Sequence, residues 1–206
     1  DHPAFGAAVI GRLLEAEGYR VAIVPQPNWR DDLRDFTKLG APRLFFGVSA
    51  GAMDSMVNHY TANIRLRSND AYTAGGKAGF RPDHAATVYT QILKRLYPHV
   101  PVVVGGIEAS LRRLTHYDYW SDSLKPSMLV ESGADLLIYG MGERVVQQVA
   151  KAMRNGYNAK LLRKINQVAF VADKSYVERL DSATTKILSS YEECCRNKQA
   201  FSKNFV

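Results

Sequence analysis

This 206-residue chain contains no run of about 18 apolar residues, so no membrane-crossing helix is expected. Cysteine is scarce. Cys194 and Cys195 are the only two, and adjacent cysteines rarely bridge each other, so a disulfide-stapled secreted scaffold is not expected. That scarcity points to the cytoplasm. The five histidines (His2, His59, His84, His99 and His116) include no pair spaced to share a helical turn. A metal site within the chain is therefore not expected. A signal-peptide pattern is also missing, although the chain opens on Asp1 instead of methionine. We read it as a fragment truncated at both ends.

Two phosphate motifs fail on spacing. Gly76-Lys77 lacks the glycine five residues before its Gly-Lys pair (Ala71 stands there) and the following Ser or Thr, where Ala78 stands. Gly140-Met141-Gly142 opens a dinucleotide-type turn, but its third glycine is replaced by Val145. Ligand lining and plain turn geometry both remain open there.

What is present suits a packed domain with an appendage. Hydrophobic residues make up 46% of the chain, which is enough for a sizeable core. The net charge of +7 is uneven: residues 1–150 carry 16 basic and 15 acidic side chains, whereas residues 151–206 carry 11 and 5. The basic end fits either a solvated helix face or a surface for nucleic acid. We divide the chain into an α/β domain at 1–156 and an edge strand with a basic helical linker at 157–206.

Three stretches share one form, a short apolar strand running into glycine. They are Leu44–Gly51 (L-F-F-G-V-S-A-G), Val102–Arg113 (V-V-V-G-G-I-E-A-S-L-R-R) and Leu136–Glu143 (L-L-I-Y-G-M-G-E). Such carboxyl ends line the ligand crevice of open parallel sheets. Expected strands are Val21–Val24, Leu44–Val48, Val102–Val104 and Asp135–Tyr139, with Gln167–Val171 antiparallel at the edge. Expected helices are His2–Glu17, a short one from Asp31 or Asp32 through Leu39, Met53–Asn63, one capped by Asp83 and running through Tyr97, one starting near Ser110, and Glu143–Arg154. Ser68–Pro82 reads as a long glycine-rich loop, and the chain from Tyr176 onward as a polar helical arm. The alternation predicts a doubly wound, mostly parallel open α/β sheet of flavodoxin-like type.

Gly47–Gly51 also fits G-x-S-x-G, the nucleophile elbow of serine hydrolases. No histidine follows His116, which itself precedes the last parallel strand, so the usual triad order is broken. A hydrolase using Ser49 is kept as an alternative. His116 and Asp118 share one side of an extended stretch, but two donors do not make a metal site. Tyr117, Tyr119 and Trp120 could stack a planar ligand, or pack a surface or domain interface.

Several strings together are similar to one family: Asp1-His2-Pro3 with Phe5-Gly6, I-G-R-L-L-E-A-E-G-Y-R-V, S-A-G-A-M-D-S-M, G-G-I-E-A-S-L-R-R, H-Y-D-Y-W-S-D and the stretch from Asp135 through Arg144. They resemble the N-terminal region of the YgiQ-type radical SAM proteins. The resemblance implies a cobalamin-binding-like domain preceding a radical SAM domain that cleaves S-adenosylmethionine reductively at a [4Fe–4S] cluster. The cluster's Cys-x3-Cys-x2-Cys would lie downstream, since Cys194-Cys195 has the wrong spacing. The resemblance implies that Gly105-Gly106 and the strand end Gly140–Glu143 line the crevice; from their place at the strand ends we add Ser49, Gly51, Glu108 and Ser110, with Ser49, Glu108, Ser110 and Glu143 expected to face the mouth. A base-off cobalamin motif needs Asp-x-His-x-x-Gly, and here Asp1 and His2 are adjacent, so a helix-start role is expected for His2. The fragment is expected to be catalytically silent alone. Its partner is the downstream domain, and its substrate is unknown. The other alternative is a stand-alone module that binds a cofactor, or RNA through the basic tail.

Overall fold

The computed structural model describes residues 5–157 and 159–205. In chain order it has α1 (Phe5–Ala16), α2 (Arg34–Thr37), β1 (Phe46–Ser49), α3 (Ser55–His59), α4 (Ala85–Leu96), β2 (Val102–Gly105) and α5 (Gly106–Leu111). There follow a hairpin of β3 (His116–Asp118) and β4 (Ser123–Lys125), then α6 (Met128–Ser132), β5 (Leu136–Ile138) and α7 (Glu143–Arg154). The last elements are α8 (Ala159–Leu162), β6 (Val168–Ala169), α9 (Lys174–Val177), α10 (Tyr191–Arg196) and α11 (Lys198–Lys203).

β1, β2 and β5 are parallel neighbours, and β6 pairs antiparallel with β5, in the order β1-β2-β5-β6. Helices cover both faces, and alternate residues of β2 reveal it. Val102 and Val104 join a core with Tyr89, Ile92 and Leu93 of α4 and with Met128 of α6. Val103 faces the other way, into a core with Val145, Val149 and Met153 of α7 and Leu14 of α1. A strand buried on both sides needs apolar residues throughout, which is why V-V-V carries no polar alternation. The sheet is α/β, open and mostly parallel. Among the described residues its strand order advances in one direction only.

α7 has the predicted boundaries, because its apolar residues recur at helical spacing and its ends are marked by Glu143 and Arg154. The predicted edge strand near Gln167–Val171 is also present, shortened to β6. Of the predicted helix His2–Glu17, residues 1–4 lie outside the described residues, and the rest forms α1.

Other expectations need correction. Val21–Val24 is not a strand: no ladder engages it among the described residues. The helix at Asp31 shrinks to four residues, because Asp31 and Asp32 turn their carboxylates onto the amides of Leu33 and Arg34, two residues on. Met53–Asn63 shrinks to α3, where Asp54 is the cap and accepts from the amides of Met56 and Val57 at 3.0 and 3.1 Å.

Asp83 does not cap α4. His84 occupies the cap position in the left-handed region, and the first amides of the helix are taken by Ser55 Oγ and Glu108. α5 begins at Gly106, not near Ser110. Gly106 makes that sharp entry possible with a φ of +84°, where a side chain would be strained. The predicted arm beyond Tyr176 is a set of short helices, with α10 packed on β4 and Tyr191 Oη donating to the Leu124 carbonyl.

Candidate functional site

The three glycine-bearing strand ends lie side by side, because β1, β2 and β5 are in parallel register: Ser49 pairs with Gly105, and Val104 with Leu137. A Cβ built on Gly106 would lie 2.7 Å from Ser49 Oγ, so the two strand ends approach closely. A Cβ on Gly105 would meet the Ile138 carbonyl at 3.5 Å. Ser110 ties the third end in. Its Oγ donates to the Gly106 carbonyl at 2.8 Å and accepts from the Gly140 amide at 3.1 Å. Ser49, Gly105, Gly106, Ser110 and Gly140 are thus brought together at the strand ends, with Gly51 and Gly142-Glu143 next to them in the chain. Gly140 turns with a φ of +70°, and Gly142 leads into α7, whose positive end is already complemented by Glu143.

Glu108 departs from the expected arrangement. It is fully buried, and its two carboxylate oxygens accept from the amides of Ser55 at 2.8 Å and Ala86 at 2.9 Å. It points into the protein instead of facing the mouth, and it binds the N-termini of α3 and α4 to α5. A carboxylate satisfied by two helix ends is strongly held there.

Two buried ion pairs continue this layer. Arg112 grips the Asp54 carboxylate with both terminal nitrogens. Burial pushes the Arg112 guanidinium below its usual range. Arg81 donates to Asp70 Oδ2 from Nε at 3.1 Å and from Nη2 at 2.9 Å, and its Nη1 donates to the Ala50 carbonyl at 3.2 Å. The loop expected at Ser68–Pro82 is therefore pinned directly to the end of β1. Burial pushes the Asp70 carboxyl up, but the Tyr72 amide and the Arg81 guanidinium outweigh it, leaving the group below its ordinary value.

A further polar group joins the aromatic string to α3. His59 Nδ1 meets Asp83 Oδ1 at 2.8 Å, and Tyr60 Oη donates to Asp83 Oδ2 at 2.7 Å. His59 Nε2, Asp118 Oδ1 and Trp120 Nε1 are buried without a hydrogen-bond partner. Tyr119 Oη donates to the Ala62 carbonyl, and Trp120 packs on Tyr60, so H-Y-D-Y-W-S-D packs against the segment after α3. His116 does not join Asp118. Its Nδ1 contacts the Leu114 carbonyl, while Asp118 accepts from Ser121.

Sequence reasoning missed Asp54, Asp70, Arg81 and Arg112 altogether. The available signal was Glu108 and Arg112, charges four apart, one inside α5 and the other at its C-terminal cap.

Ser49 Oγ accepts from the Gly51 amide at 3.1 Å, and no histidine hydrogen-bonds it among the described residues. No group of three or more His, Cys, Asp or Glu side chains able to hold a metal occurs among the described residues. The two thiols, one buried and one exposed, do not supply the donors of an iron–sulfur cluster.

The radical SAM N-terminal family model matches residues 1–206. The chain belongs to that family. A UPF0313 protein of Porphyromonas gingivalis is 62% identical over 205 residues, covering 100% of this chain and 32% of the relative. UPF0313 proteins of Bacteroides thetaiotaomicron and Thermotoga neapolitana are 56% and 46% identical, covering 34% and 35% of those relatives. The family is the YgiQ-type one that the sequence strings resemble. The chain spans about a third of the length of these relatives. No solved structure gives a significant match.

Proposed function

We propose that this radical SAM N-terminal domain forms one wall of the full-length protein's active-site mouth and receives a ligand on its strand-end rim. The observation that supports this is the joining of three strand ends, with Ser49 against Gly106 and Ser110 bridging to Gly140. Backbone without bulky side chains leaves room for a ligand to approach, and Ser49, Ser110 and Glu143 supply the polar contacts. The family implies a [4Fe–4S] cluster and S-adenosylmethionine in the downstream domain. Cobalamin is a candidate occupant of the rim by family likeness. In this reading residues 157–206 link the domain to the catalytic one.

The test uses the full-length protein purified anaerobically, with iron and sulfide assayed and 5′-deoxyadenosine measured after reduction. Gly140→Val should leave the cluster intact and lower the yield, because it distorts the turn beside the rim, where φ is +70° and a Cβ would meet Gln167 Nε2 at 3.1 Å. An iron-free full-length protein, or unchanged turnover in Gly140→Val, would sink the proposal. Cobalamin is scored separately, by the spectral change it undergoes on binding.

A further inference from the structure

We propose that the outer edge of β1 is completed by an extended strand from the part of the protein outside these 206 residues. This strand pairs with β1 on one side and with the Val21–Val24 run on the other. The inference does not depend on what the strand-end rim binds.

Three observations carry it. β1 has a ladder on one side only, to β2, so its other row of backbone groups is unpaired within the sheet. Gly47 and Ser49 are exposed along it. An exposed edge of this kind is a template for another strand.

The second observation is Val21–Val24 itself. It has the composition of a buried strand, yet residues 20–27 make no backbone hydrogen bond among the described residues. Ile23 is 53% exposed. Val21 nevertheless packs against the core cluster that also receives Leu44 and Phe45, which lead into β1. β1 lacks a ladder on one side and Val21–Val24 lacks one on both, and two such apolar segments on one cluster have the form of strands separated by an absent neighbour.

The third observation is length. About two-thirds of the relatives' length lies outside this chain, so a donor segment within the same protein is available. A second copy of the chain fits less well. A four-residue edge makes few hydrogen bonds and little buried area, too little to hold two separate molecules together. A tethered strand meets the same edge at a high effective concentration.

Hydrogen–deuterium exchange on the full-length protein tests this. Peptides covering 20–25 and 45–50 should exchange as slowly as the one covering β2, orders of magnitude below the loop at 68–80. Loop-like exchange in either peptide would overturn the inference. Mass measurement in solution supplies the second arm: protection that persists in a monomer supports the tethered strand. Protection that is lost on dilution, together with a dimer, would assign the edge to a second copy and refute it.

Discussion

The two halves of the rim are built differently. On the β1 side, buried charges hold the chain in three places: Arg112 on Asp54, Arg81 on Asp70, and Glu108 on the starts of α3 and α4. On the β5 side the turn Gly140-Met141-Gly142 carries no buried ion pair, and Met141 is 74% exposed. The first half is fixed by electrostatics that cannot relax without exposing a charge to an apolar interior. The second is an open turn with an uncovered thioether at its tip.

The largest break in that contrast should come from Arg112→Ala, which strands the Asp54 carboxylate in the core. Chemical denaturation is expected to show a loss of about 3–5 kcal/mol. The double variant Asp54→Asn/Arg112→Met should lose less than Arg112→Ala alone. Asp70→Asn is expected to cost about 1–3 kcal/mol at pH 7. Because the folded Asp70 carboxyl lies below its ordinary value, its contribution is present above the unfolded pKa of about 3.9 and disappears as pH falls through the lower folded value. The gap between the native protein and Asp70→Asn should therefore close under strong acid, and a constant gap from pH 7 to pH 2 would contradict the assignment.

Gly106→Ala combines a positive φ with a collision against Ser49 Oγ. A loss of about 1–3 kcal/mol is expected, with part recovered in Gly106→Ala/Ser49→Gly. Full additivity in that cycle would mean that the two strand ends do not touch. The smallest effect belongs to the open side. Met141→Ser should change stability by under about 0.5 kcal/mol, and equal damage on both sides of the rim would erase the distinction.

Much of this plan was readable in the chain. The three strand ends and α7 follow from local runs and periodicity, and packing on both faces follows from V-V-V. What escaped depends on partners far away in sequence. Glu108 reaches Ser55, 53 residues away, and Arg112 reaches Asp54, 58 residues away. No local pattern encodes such a pairing. Asp83 failed as a cap because His59 and Tyr60 compete for its carboxylate, and Ser55 and Glu108 already serve the helix. Val21–Val24 has the composition of a strand but no ladder partner among the described residues. The strand-end residues were found by the company they keep with glycine, whereas the charges that fix them were hidden by their own burial.

At the opposite end of the sheet, Asp135 Oδ2 accepts both the Val102 amide at 2.8 Å and Lys94 Nζ at 2.9 Å. Its consequence is positional. A one-residue slip of β5 past β2 would take the carboxylate away from both donors and turn Leu136, Leu137 and Ile138 to the wrong faces. A single side chain at the base of the sheet thus acts as an alignment pin. The rim residues keep their relative heights because a carboxylate at the far end, in contact with none of them, penalises every other register.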